Sequence, residues 1–407
     1  MGFGGALPLD SPGAGFYDRA MGNKVMMVAG EASGDLHAAS LARELKSLLP
    51  QTEILGMGGE RMAEVGVRLL AHCSSSSVVG SVEAVGMLGS LFRSFCVLRT
   101  ALASETPNLL VLIDFPDFNL LLARVAKKRG IPIVYYISPQ IWAWRGGRLR
   151  TMRRLVDLVL VILPFEEEIF RQARMEAHFV GHPLLDLVKP SLSREEVRSR
   201  LGITRERTLI GLMPGSRLME VRRHLPLMLE SADLLTQRHP KLCFVVSQAE
   251  TVEDAELDGF LSQRHSKWRV WKGRPYDLMN ACDFLLVASG TVTLEAGLLG
   301  IPMVIIYRLS WFSALVGRRL MRVPNLGLIN LLLGREVAPE LLQGRADPRR
   351  IAQVIDGYLQ EPERREAMRR DLLSVRSRLG EPGASRRAAL HIVRFLEAGP
   401  HSRPESR

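Results

Sequence analysis

Short, continuous apolar runs separated by longer segments of helical periodicity recur along most of this chain, and that alternation constrains its fold more than any other feature. Lys24–Ala29, Leu109–Ile113, Pro132–Ile137 and Leu158–Leu163 are such runs, and a helix is expected over about 34–49 after the first. Strands that are apolar on both faces need helices on both faces, so the pattern predicts an α/β fold with a parallel sheet. Gly181-His182-Pro183 closes this half. After the polar stretch Ser191–Arg207 the alternation restarts, with strands expected at Leu209–Met213, Leu242–Ser247, Phe284–Ala288 and Met303–Ile306. Helices should begin near Ser216, Pro275 and Gly290. A chain of 407 residues is too long for one ordinary domain. The expected organisation is a leader over 1–20, Rossmann-like domains over 21–190 and 191–380, and a C-terminal helix and tail over 381–407. The last helix, about 385–397, can pack back on the first domain. Two doubly wound domains facing a central cleft place a ligand at the carboxyl ends of both sheets.

With 47% hydrophobic and 24% charged residues, the chain has globular cores to fill. No apolar run is long enough to span a bilayer. Residues 1–20 lack a basic start and a long apolar stretch and carry Asp10 and Asp18, which argues against a secretory signal. They read as a disordered leader, with Met21 as an alternative start. The four cysteines, Cys73, Cys96, Cys243 and Cys282, show neither paired nor metal-ligand spacing. Reduced cysteines of a cytoplasmic protein are therefore expected, and no structural zinc. Fifty-four basic against 43 acidic residues give a net charge of +11, which calls for an anionic partner. The excess gathers in 145–154, 317–322 and 364–378 without an aromatic-interleaved platform or zinc-finger spacing. A membrane surface or phosphorylated substrate is thus expected, and nucleic acid is not. A homo-oligomer is left open.

Chemistry-bearing residues cluster where strands end. The first strand runs into Gly30-Glu31-Ala32-Ser33-Gly34-Asp35. Two readings fit: a turn whose backbone approaches a ligand, or a tight strand-to-helix turn capped by Ser33. The spacing is not GxGxxG, so a dinucleotide fingerprint is not supported. Asp114-Phe115-Pro116-Asp117-Phe118-Asn119 follows Leu109–Ile113. One aspartate can cap the next helix while the other takes a proton from a sugar hydroxyl; Asp114, nearest the strand end, is the expected base. Ser138-Pro139-Gln140-Ile141-Trp142-Ala143-Trp144-Arg145 also follows a strand, and Trp142 and Trp144 suit either a sugar or acyl pocket wall or the core.

In the second half, Pro214-Gly215-Ser216-Arg217 follows the first strand. Gly215 permits a tight turn, the helix start favours negative charge, and Arg217 can pair with phosphate. The most specific pattern is Ala288-Ser289-Gly290-Thr291-Val292-Thr293-Leu294-Glu295-Ala296, leading to Gly300 and Pro302. Ser289, Gly290 and Thr291 can hold a diphosphate at a helix start. Glu295, one turn further on the same face, can take two ribose hydroxyls.

These segments resemble the nucleotide-sugar site of GT-B glycosyltransferases, and in particular the lipid-A-disaccharide synthase family. The likeness runs from residue 24 to about 343 in nine ordered segments: GEASGD (30–35), the stretch 80–83, DFPDFN (114–119), SPQIWAWR (138–145), LPFE (163–166), GHPLLD (181–186), PGSR (214–217), ASGTVTLEA (288–296) and NLLLGRE (330–336). It implies an inverting, metal-independent transfer with no cofactor. UDP-2,3-diacylglucosamine would react with 2,3-diacylglucosamine 1-phosphate to give a β-1′,6 link and UDP. Asp114 matches the family's base, and Arg217, Ser289, Glu295 and Asn330 match its UDP-binding positions. Gly215, Ser216, Gly290 and Thr291 complete the expected donor site. Glu31, Ser33, Gly34, Asp35, Glu83, Ser138, Gln140 and Trp142 are the expected acceptor or sugar pocket. Phe115 and Ala38 stand where smaller residues are expected, which bears on pocket shape. No DxD-type pair or metal-spaced histidines are present.

Acyl chains need an apolar path. Val78–Val79, Val85–Leu88, Leu91–Phe92 and Phe95, beside Arg93 and Arg99, offer one; Trp311–Val323, with Arg318, Arg319 and Arg322, offers another. Such basic amphipathic segments can lie on an anionic inner-membrane surface or face the core. A UDP-sugar epimerase would share the double-Rossmann layout without needing SPQIWAWR. A basic binding protein would explain the charge but leave Asp114 and Glu295 unused.

Overall fold

The computed structural model describes residues 23–73, 81–139, 146–262, 268–308 and 327–398. The leader, Gln140, Trp142, Trp144 and the segment Trp311–Val323 lie outside the described residues.

The first sheet contains β1 (Lys24–Ala29), β2 (Glu53–Gly58), β3 (Arg68–His72), β4 (Leu109–Ile113), β5 (Ile133–Tyr136), β6 (Leu158–Val161) and β7 (Ala177–Phe179). Their spatial order is β3-β2-β1-β4-β5-β6-β7. The second contains β8 (Thr208–Met213), β9 (Leu242–Ser247), β10 (Arg269–Trp271), β11 (Phe284–Ala288), β12 (Met303–Tyr307) and β13 (Glu340–Leu342), in the order β10-β9-β8-β11-β12-β13. The strands pair in parallel in both sheets. In each sheet the chain starts in the middle, winds to one edge, and returns to wind to the other. The strand order therefore reverses between β1 and β4 and again between β8 and β11. In open parallel sheets a crevice forms at that reversal, beyond the carboxyl ends of the strands.

The apolar runs form the central strands because both of their faces are buried. In β1, Met26 and Val28 join Leu110, Leu112, Ile133 and Tyr135 in one core cluster. Val25, Met27 and Ala29 join Val111, Ile113, Val134 and Tyr136 in another. Period-2 alternation thus divides one continuous apolar strand between two helix layers. β2 lies close against β1: a Cβ at Gly56 would stand 1.8 Å from the Met27 carbonyl oxygen, so only glycine fits there.

Chain passages 180–188 and 379–387 run side by side between the two sheets. His182 N–H donates to Leu379 O at 3.0 Å, and Gly383 N–H donates to both Asp186 carboxylate oxygens at 3.0 and 2.9 Å. Arg387 Nε donates to Val180 O at 2.8 Å. Beyond this clasp, helix Ala384–Glu397 buries Ala388, Ala389 and Ile392 in the first domain's core, and Arg386 pairs with Glu44 at 3.1 Å. Residues up to Leu379 belong to the second domain's core.

Candidate functional site

Both topological reversals carry the residues singled out in the sequence. Ala29 and Ile113 are register partners, so Gly30-Glu31 and Asp114 emerge side by side from β1 and β4. Val287 and Met213 are partners in the second sheet, so the turns beginning at Ser289 and Pro214 emerge together from β11 and β8.

On the first side the backbone is held in uncommon conformations. Asp114 and Phe115 both have φ of +46°, and Ile137, just after β5, has φ of +59°. A left-handed non-glycine residue costs roughly 1–2 kcal/mol, and such residues cluster at functional sites. The Phe115 ring lies over Gly30, where a Cβ would come within 2.1 Å of it. Phe115 also packs on Phe118 at 5.5 Å, and Phe118 on Phe95 at 6.0 Å. The larger residue at 115 is therefore accommodated by the missing side chain at 30, and Ala38 is simply buried core. Asp117 is exposed in the first turn of helix Pro116–Lys128 and pairs with Arg148 at 2.5 Å. Asp114 is half-buried. Burial pushes its carboxyl above the usual aspartate range, and the nearby Glu31 charge adds to this. The Phe115 N–H and Arg217 pull the other way.

The remaining first-domain candidates divide clearly. Glu31 begins helix Ala32–Leu48, and its carboxylate meets the Arg217 guanidinium of the second domain at 2.5 Å. Ser33 is exposed in the first turn, while Gly34 is buried against Ala29. Asp35 makes structural contacts. It is buried and accepts from Gly59, Arg61 and Met62 N–H at 2.7, 3.2 and 3.2 Å, capping helix Glu60–Glu64. Ser138 is likewise buried, donating to Glu166 Oε1 at 3.3 Å, while Glu166 Oε2 accepts the Leu163 N–H at 3.3 Å. Glu83 falls on helix Ser81–Ser104, with its side chain outside the described residues.

In the second domain, Gly215 adopts φ of +124°, and a Cβ there would meet Glu220 Oε2 at 2.5 Å. That carboxylate accepts the N–H groups of Ser216 and Arg217 at 3.0 and 3.3 Å. The start of helix Leu218–Arg238 is therefore capped from within. The Arg217 side chain itself is 57% exposed. Ser289 N–H donates to Ile306 O at 2.9 Å, leaving Gly290 and Thr291 exposed at the start of helix Val292–Leu298. Glu295 accepts from the Tyr276 hydroxyl at 3.2 Å. Burial pushes the Glu295 carboxyl up, opposed by that hydrogen bond, and pushes the Tyr276 phenol up as well. Its second oxygen has no protein partner among the described residues.

Asn330 is held by structural contacts. It is fully buried; its amide nitrogen donates to Ala338 O and Glu340 Oε1 at 2.7 and 2.8 Å, and its oxygen accepts Val337 and Ala338 N–H at 2.8 and 2.9 Å. Two donors and two lone pairs exhaust a carboxamide, so nothing remains for a ligand. It clamps the turn from helix Leu328–Leu333 into β13. Sequence reasoning missed Tyr276 and Glu220. Glu220 follows Arg217 by the three-residue capping-box spacing, a legible signal; Tyr276 offers none. Among the described residues, no group of three or more His, Cys, Asp or Glu is arranged to hold a metal.

Comparison with known proteins agrees with this architecture. A sequence model of the family described as lipid-A-disaccharide synthetase matches residues 25–392. The lipid-A-disaccharide synthase of Geobacter sulfurreducens is 44% identical over 374 residues, 92% of this chain and 97% of that protein. The enzyme of that name from Syntrophus aciditrophicus is 45% identical, covering 92% and 98%. Among solved structures, the S. aureus MnaA–UDP co-structure aligns with TM-score 0.64 at 11% identity, covering 95% of this chain and 100% of that one. The glycotransferase of kitacinnamycin aligns with TM-score 0.55 at 18% identity, covering 92% and 99%. The structural matches share the two-domain GT-B fold alone, whereas the family match spans residues 25–392 and so takes in the whole cleft. The chain belongs to the lipid-A-disaccharide synthase family.

Proposed function

We propose that the cleft transfers 2,3-diacylglucosamine from UDP to the 6-hydroxyl of 2,3-diacylglucosamine 1-phosphate, with Asp114 as base and Arg217 as the diphosphate cation. Family membership makes the chain a glycosyltransferase of lipid A biosynthesis. The observation that carries the residue assignment is the Arg217–Glu31 pair, which brings the second domain's exposed guanidinium beside the first domain's carboxylates.

Asp114 removes the acceptor hydroxyl proton as that oxygen attacks the anomeric carbon. The bond from that carbon to the diphosphate breaks on the opposite face, inverting the centre, and the electron pair leaves with UDP. Arg217 exchanges Glu31 for the diphosphate and meets the growing charge, with the exposed turn Ser289–Thr291 as its counterpart. Glu295, held by Tyr276, takes the ribose hydroxyls. Ser33 and Glu31 face the sugar, while Asp35, Ser138 and Asn330 support the surrounding framework. An epimerase is the weaker reading, because its resemblance is confined to the fold.

We further propose peripheral attachment to the anionic cytoplasmic face of the inner membrane. Helix Ser81–Ser104 exposes Phe92 (68%) and Val97 (43%) beside exposed Arg93 and Arg99. No described helix is long and apolar enough to cross a membrane.

Asp114→Asn should lower kcat by about 10²–10⁴-fold, the usual contribution of a general base, with UDP affinity within about twofold of the parent. Near-parental turnover in that variant removes the assignment. Because the Asp114 carboxyl is raised and must be ionised to act, kcat/KM should fall with acid through a pKa above the ordinary aspartate value; a profile flat down to pH 4 contradicts this. Arg217→Ala should weaken UDP binding in calorimetry by about 10–100-fold, the scale of a charge-assisted hydrogen bond. Asn330→Ala should instead lower the unfolding midpoint, losing about 1–3 kcal/mol through unsatisfied buried groups. The reverse pattern for these two residues would exchange their roles. Finally, Phe92→Asp should reduce co-sedimentation with phosphatidylglycerol-containing vesicles at low salt, and equal sedimentation of both proteins counts against this helix as the contact.

A further inference from the structure

The consecutive left-handed residues Asp114 and Phe115 form a corner that an L-residue chain does not adopt unaided. Two buried side chains hold it. The Tyr135 hydroxyl, reaching from β5, donates to the Asp114 carbonyl oxygen at 2.5 Å. The Asn119 amide, one turn into the following helix, donates to that same oxygen at 2.7 Å and to Ile113 O at 3.2 Å. Asp114 N–H is tied to Tyr136 O at 3.3 Å. Both lone pairs of the Asp114 carbonyl are thus occupied. Tyr135 and Asn119 are fully buried, and the Tyr135 ring sits in the apolar cluster with Met26, Leu110 and Leu112. A hydroxyl at the end of a core aromatic is costly to bury without a partner, and here its partner is the peptide that carries the cleft carboxylate.

We propose that Tyr135 and Asn119 are positioning residues for the transfer reaction: by clamping the Asp114 carbonyl they fix the strained corner that aims the Asp114 carboxylate into the cleft. The proposal rests on the reading of Asp114 as base. Rotation of that peptide toward an ordinary conformation would swing the carboxylate away from the acceptor hydroxyl, and misplacement by about 1 Å costs on the order of a hundredfold in rate. Burial pushes the Tyr135 phenol well above its usual value, so it remains a donor at every working pH.

The test uses the full chain with UDP-2,3-diacylglucosamine and its phosphorylated acceptor. Tyr135→Phe removes a single oxygen and keeps the core ring. It should lower kcat by about 10–100-fold with the donor KM and UDP affinity unchanged. Asn119→Ser, should it fold, should behave alike. The decisive readout is the double variant Asp114→Asn/Tyr135→Phe. If Tyr135 acts through Asp114, the double variant keeps the residual rate of Asp114→Asn alone, because the second change has nothing left to misplace. Parental kcat in Tyr135→Phe, or a loss that multiplies in full onto that of Asp114→Asn, overturns the clamp. Full turnover in Asp114→Asn instead removes the base reading itself, so the two failures are distinguishable.

Discussion

Two sheets, each wound outward from its middle, face one another with the carboxyl ends of their strands, and the rest of the molecule follows from that constraint. The reversal between β1 and β4 opens one crevice and that between β8 and β11 opens the other. Loops at these points need not cover a neighbouring strand, so they are free to carry Glu31, Asp114, Arg217 and Glu295. The clasp formed by Asp186, Leu379 and Gly383 joins the domains through paired chain passages, and the final helix completes the first domain's core.

Across the cleft the electrostatics are unequal. Glu31 and Asp114 place two carboxylates near one another, and Arg217 is the cation that meets them. An exposed ion pair of this kind contributes about 0–1 kcal/mol, so the proposed exchange of Glu31 for a diphosphate costs little. Glu220 occupies the adjacent helix start through one oxygen and lies 3.7 Å from the Arg217 guanidinium through the other.

Much of this was legible in the residues. The central strands β1, β4, β5, β6, β8, β9, β11 and β12 announce themselves because burial on both faces demands unbroken apolar runs. The outer strands do not. β3, β7, β10 and β13 are short and partly exposed at or near sheet edges, and glycines interrupt β2 where it presses against β1. Site positions were visible because strand ends and small-residue turns mark them, but the direction of each side chain was not. Asp35 and Asn330 carry ligand-type chemistry and spend it mainly on backbone groups, which only the packing of distant segments reveals. Tyr276 is the converse: an unmarked residue that becomes relevant because its helix stands beside Glu295.

A crystal structure of the full chain with UDP bound tests this arrangement most directly. The diphosphate should lie between the Arg217 guanidinium and the turn Ser289–Thr291, with Glu31 released, the ribose hydroxyls on Glu295, and Asn330 still bonded to residues 337–340. UDP bound with Arg217 still paired to Glu31, or held at Asn330 and away from Glu295, would contradict it.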